Sequence, residues 1–150
     1  MPRKISAVCV IVGMILCIAG CSSETISIEG HNWNLTLIQS NEDGSVIGCA
    51  SGHYEMHKEI DNIIVVDLAC SASDGKLTIT DDTNNTTYTG SYSLSENEQD
   101  NTIYEISLGN QIGYAVVAYT TYTDHLGSNS QTPTLIVTIG NYSLTFQAID

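Results

Sequence analysis

Apolar and polar residues alternate with a period of two through most of the chain beyond residue 30. This is the signature of strands that bury one face, and helical periodicity is nearly absent. Trp33, Leu35 and Leu37 alternate with Asn34 and Thr36 in a first strand, which ends at the turn-forming Asn41-Glu42-Asp43-Gly44. The more continuous apolar run IIVVDL (63–68) and the KLTIT segment (76–80) flank Asp74-Gly75 and read as a hairpin. TTYTGSYSL then sets Tyr88, Gly90, Tyr92 and Leu94 against Thr87, Thr89, Ser91 and Ser93, and an acidic loop at 96–100 leads to TIYEISL with Tyr104, Ile106 and Leu108 inward. Residues 113–122 (GYAVVAYTTY) are apolar on both faces in their first half, which predicts a strand covered on both sides or interrupted by a bulge. After a polar loop at 124–132, Pro133 is expected to start, and not to continue, a strand that aligns Leu135, Val137 and Ile139. Gly140-Asn141 turns that strand into one aligning Tyr142, Leu144 and Phe146. Residues 52–61 (GHYEMHKEID) have neither turn chemistry nor alternation and fit one short helix.

About eight strands result. Short consecutive strands joined by tight turns favour an antiparallel up-and-down meander, and eight is the number at which a sheet closes into a small barrel without open edges. A β-sandwich is the competing layout. The tryptophan near the start of strand one (HNWNL), the Asp-Gly turn, the G-x-Y-x-L strand and the closing TLIVTIGNYSLTF hairpin resemble the small lipocalin-like domains of bacterial lipoproteins over about residues 30–148. The resemblance implies an all-β, lipocalin-like barrel. The longer signature of ligand-carrying lipocalins is absent, so no ligand is implied with it.

The N-terminus carries an address. Arg3 and Lys4 precede an uncharged apolar run at 5–19, which has signal-peptide length and falls short of the roughly 18 residues that span a bilayer. The run closes with Ile18-Ala19-Gly20-Cys21, which resembles the bacterial lipobox. That resemblance implies cleavage before Cys21 and a diacylglycerol on its sulfur. Each buried lipid methylene contributes about 0.8 kcal/mol, so two chains hold where one holds only reversibly. The expected organisation is a signal at 1–20, a lipidated tether at 21–29 and a barrel domain at 30–150. The domain then sits on the extracytoplasmic face of the cell membrane, or at the outer membrane or in the periplasm where two membranes exist.

Charge narrows the partners. Beyond residue 20, 17 Asp and Glu face only Lys58 and Lys76, a net charge of −15. Phosphate neutralisation requires Lys and Arg, so nucleic acid is not an expected partner. The expected partners are the membrane, through the anchor, and an unidentified protein or small hydrophobic ligand.

Once the signal is removed and Cys21 is lipidated, Cys49 and Cys70 remain. In an exported chain that even remainder reads as a disulfide closing a loop of about 20 residues. His53 and His57 stand at i,i+4, but HYEMH is not H-E-x-x-H, and with His31 they read as surface histidines near the mouth of the barrel. The acidic stretch Asp81-Asp82-Thr83-Asn84-Asn85 lacks the spacing of a calcium loop and reads as a turn. No nucleophile elbow occurs, and no cofactor, metal or enzymatic activity is expected. The aromatic residues Trp33, Tyr88, Tyr92 and Tyr104 fall on the aliphatic faces. They are expected to fill the barrel, leaving no cavity for a drug-sized ligand; the alternative is that they line a pocket for one small apolar molecule. The leading expectation is a non-enzymatic binding or accessory module, with a lipocalin-type carrier as the alternative and a metal-dependent enzyme behind both.

Overall fold

A computed structural model describes residues 26–95 and 103–149; the segment expected to be a signal, Cys21 and the acidic stretch at 96–100 lie outside them. Among the described residues ten strands form one sheet: β1 (Trp33–Ser40), β2 (Val46–Cys49), β3 (Ile64–Val65), β4 (Leu68–Ser73), β5 (Lys76–Asp81), β6 (Thr86–Leu94), β7 (Ile103–Leu108), β8 (Gln111–Thr123), β9 (Asn129–Ile139) and β10 (Tyr142–Ala148). From β4 to β10 each strand pairs antiparallel with the next, and β1 bridges β4 and β10. This closes an eight-stranded up-and-down barrel, the architecture that the alternation implies. The remaining two strands attach where β1 leaves β4: β1 pairs with β4 only at Trp33 and Asn34, and from Leu37 onward β2 takes that edge. Between β2 and β3 lies a short 3-10 turn (Ser51–His53) that runs into the helical turn α1 (Tyr54–His57), inside the segment expected to be helical.

Local chemistry explains the turns. Asp74 and Gly75 both have positive φ (50° and 76°), the requirement of a two-residue hairpin whose twist matches its strands. Gly140 has φ 56° at the first position of the β9–β10 hairpin. At the β5–β6 turn, the Asp81 carboxylate accepts from Thr83 N (2.9 Å), Asn84 N (3.0 Å) and Asn84 Nδ2 (2.8 Å). These bonds, that from the Asn84 side chain foremost, lower the Asp81 pKa, and the carboxylate is spent on the turn rather than offered to calcium.

The register corrects several expectations. A bulge between Leu35 and Leu37 adds one residue to β1, so Ile38 joins Trp33 and Leu35 on the inner face while Leu37 pairs with Thr145 on the outer one. The hairpin partner of β5 is LACSAS (Leu68–Ser73), not the IIVV run. Ile64 and Val65 instead form a two-residue strand parallel to β2 and are exposed. The first half of β8 is neither covered on both sides nor bulged: its pairing with β9 runs unbroken, and Ile112 and Tyr114 face solvent on the outside of the wall. β9 begins four residues before Pro133. Proline is tolerated there because β10 pairs with β9 only from Thr134, which leaves Pro133 on a free edge where no donor is needed.

The expected disulfide is absent: Cys49 and Cys70 are both buried and unbonded. Cys70 pairs with Trp33 and Cys49 with Leu37 along the same edge of β1, about 10–13 Å apart at strand spacing. A disulfide needs Cα atoms within about 7 Å. The bulge also turns the two thiols to opposite faces of the wall, Cys70 inward with Trp33 and Cys49 outward with Leu37.

The stretch 26–29, expected as tether, belongs to the domain. Ile26 and Ile28 are buried in the core, and Ile28 is held at both ends: its N–H donates to the Tyr104 hydroxyl (3.3 Å) and its carbonyl accepts from the Trp33 indole (2.9 Å). Barrel and core are complete within residues 26–149, a length at which a single domain folds by itself.

Candidate functional site

The two ends of the barrel differ. At the end where β1 starts, Trp33, Phe146, Leu77, Ile106, Leu135 and Val117 are almost wholly buried, and the segment 26–30 closes the interior. Tyr92 and Tyr104 meet edge to face with ring centroids 5.8 Å apart, and the Tyr92 hydroxyl donates to the Glu29 carboxylate. Burial, reinforced by that bond, pushes the Tyr92 pKa up to about 12, so the phenol stays a donor. His31 packs on Trp33 at the same end, with ring centroids 5.0 Å apart, so it does not sit at the mouth.

At the opposite end the inward residues are aliphatic, and no segment crosses the interior among the described residues. Leu68, Ile79, Leu108, Val137, Ile139 and Leu144 line an open cavity of about 460 Å³, with Tyr88 at its rim. Gln111, opposite Leu108, is its polar side chain, and Thr87 and Thr89 flank Tyr88 at the rim with register positions on the outer face. The volume lies within the usual range of small-molecule sites. The room arises because the bulky aromatics are gathered at the closed end and the inward residues at the other end are aliphatic. The expectation of a barrel filled throughout is therefore corrected: the interior is filled at one end and open at the other. Gly113, as well as Gly90, takes an inward register position. At both glycines the neighbouring strand crowds the backbone, so that a Cβ would lie 2.0 Å from Ser107 O at Gly90 and 2.1 Å from Thr138 O at Gly113. Glycine is what lets the wall bend there.

Of the four aromatic candidates, the cavity takes Tyr88 alone, and Trp33, Tyr92 and Tyr104 build the closed end. The aliphatic lining escapes sequence reasoning because alternation marks residues as inward without saying at which end of a strand the interior is empty. One signal was nonetheless present. Leu108 and Ile139 are each the last inward residue before a Gly-Asn turn, and both of those turns fall at the open end.

A larger cavity of about 540 Å³ lies on the flank, between the wall and the Ser51–His53 turn, with Asn34, Thr36, His53, Asp67 and Asp82 among its lining. Its polar groups are engaged locally: Asp67 accepts from Ser51 N (2.9 Å) and Thr36 donates to Thr145 O (3.0 Å). It is a wet groove of self-satisfied groups, whereas the mouth offers apolar surface that a ligand would remove from water. His53 and His57 stand on the flank, and among the described residues no cluster of three His, Cys, Asp or Glu side chains is placed to hold a metal ion. Both buried thiols are held protonated: burial alone pushes Cys70 up to about 12, and burial with the Asp67 charge raises Cys49. Comparison of the chain with protein-family models, curated proteins and solved structures found no match.

Proposed function

We propose that the chain is an exported, lipid-anchored binding protein without enzymatic activity, whose barrel receives one small apolar molecule at its open end. The observation that carries this reading is the apolar cavity at the mouth of a barrel closed at its other end. Its lining has hydroxyl and amide groups but no carboxylate, imidazole, thiol or amine, which supports binding rather than proton transfer or nucleophilic chemistry. The anchor proposed at Cys21 precedes Ile26 by five residues, and Ile26 belongs to the closed end. On this reading the closed end faces the membrane and the mouth faces away from it, so ligand enters from the aqueous side.

One experiment with two arms tests the reading. Nile red, an uncharged dye, is titrated into the chain from Ser22 onward, with the expectation of one site per barrel that is weakened by Tyr88→Ala and blocked by Ile139→Trp at unchanged circular dichroism. In cells, Cys21→Ser should shift the protein out of the detergent phase. Absence of saturable dye binding removes the ligand reading, and unchanged partitioning removes the anchor.

A further inference from the structure

Resting on the reading of the mouth as a ligand site, we propose that the site selects amphiphiles that carry no negative charge and discriminates against carboxylates of the same chain length. The residues around the cavity assign this preference. None of the lining side chains is charged, and the polar side chains at inward register positions of the rim are Gln111 and Tyr88, an amide and a hydroxyl suited to a hydroxyl, ester or amide head group. A carboxylate seated there would lose hydration without gaining a cation.

No cation is at hand. Beyond residue 4 the chain has only Lys58 and Lys76. Lys58 is bound to Glu55 across α1 at 2.8 Å, and Lys76 starts β5 beside the Asp74-Gly75 turn at the closed end. The histidines are placed elsewhere too: His31 on Trp33, His53 and His57 on the flank, and His125 in the β8–β9 turn at the closed end.

The charges that do surround the mouth are negative. The turn at 41–44 brings Glu42 and Asp43 to this end, and the turn at 82–85 brings Asp82. Asp67, joined to that turn through Asp82 N and Thr83 Oγ1 (both 2.9 Å), stands next to Leu68 of the lining. The side chain and backbone of Ser45 bond to Asp43 and lower its pKa, so it remains ionised in mild acid. A like charge about 10 Å away through water weakens binding of an anion by roughly twofold, so each acidic group that lies this near the mouth adds about a factor of two. Salt should erase that part of the discrimination, because exposed charges at this range are screened over about 10 Å at 0.1 M.

The test is competition against bound Nile red, using the chain from Ser22 onward with 1-decanol and decanoate at pH 8. Decanol should displace the dye at a concentration at least about tenfold lower than decanoate in low salt, with the gap narrowing in 0.5 M NaCl. Glu42→Gln combined with Asp82→Asn, both outside the lining, should improve decanoate and leave decanol unchanged. Decanoate competing as well as decanol, or a ratio that ignores both salt and the double variant, overturns the inference while the binding reading stands. Failure of Nile red itself to bind overturns that reading and this inference with it.

Discussion

Replacing Trp33 by Ala empties the best-buried part of the closed end. The indole has no exposed surface, packs with Cys70, Phe146 and the segment 26–30, and donates its N–H to Ile28 O at 2.9 Å. Truncation of a buried tryptophan costs about 3–5 kcal/mol, from lost transfer free energy and the void left behind. The freed carbonyl of Ile28 adds about 1–3 kcal/mol unless water reaches it. A domain of this size has about 5–15 kcal/mol of total stability, so the variant should retain a cooperative transition but lie near the edge of folding. The fall in midpoint should be about 10–20 °C. Far-ultraviolet circular dichroism through thermal and urea unfolding is the assay, because the substitution removes the single tryptophan. Trp33→Phe keeps most of the apolar volume and loses the donor, and it should cost about 1–2 kcal/mol. Any Trp33→Ala protein still folded should bind Nile red with affinity close to that of the parent chain, since Trp33 lies at the end opposite the cavity. A midpoint unchanged by the truncation, or dye binding lost while the fold persists, would refute this division of labour between the two ends.

Gly113→Ala should destabilise by about 1–3 kcal/mol through overpacking, since the new Cβ would meet the backbone oxygen of Thr138 and not a side chain able to swing away; chemical denaturation checks it. Cys49 and Cys70 should resist alkylation at pH 8 in the native protein and both react after unfolding without reductant. Two thiols per barrel are expected, and none would restore the disulfide.

By itself the sequence determined that most of the chain is strand. Alternation with a period of two is a local property of the residues, as in β5, β7 and β10, where successive side chains must point to opposite faces. The Asp74-Gly75 and Gly140-Asn141 turns were legible for the same reason: positive φ is cheap for few residues, and that preference needs no neighbour. Strand number and tight turns together implied closure into a barrel.

What depended on pairing across the chain was decided only in three dimensions. Thr36 looks like any outward residue of an alternating strand, yet the bulge there moves Leu37 out, Ile38 in, and the two cysteines onto opposite faces. IIVV reads as core by composition but adds only a short parallel strand beside β2. Ile28 gains its place in the core from Trp33 and Tyr104, the latter 76 residues away along the chain. The cavity belongs to this second group. Hydrophobic periodicity specifies which face of a strand turns inward, but whether that face meets side chains or empty space depends on the opposite wall, and the opposite wall is set by register and closure.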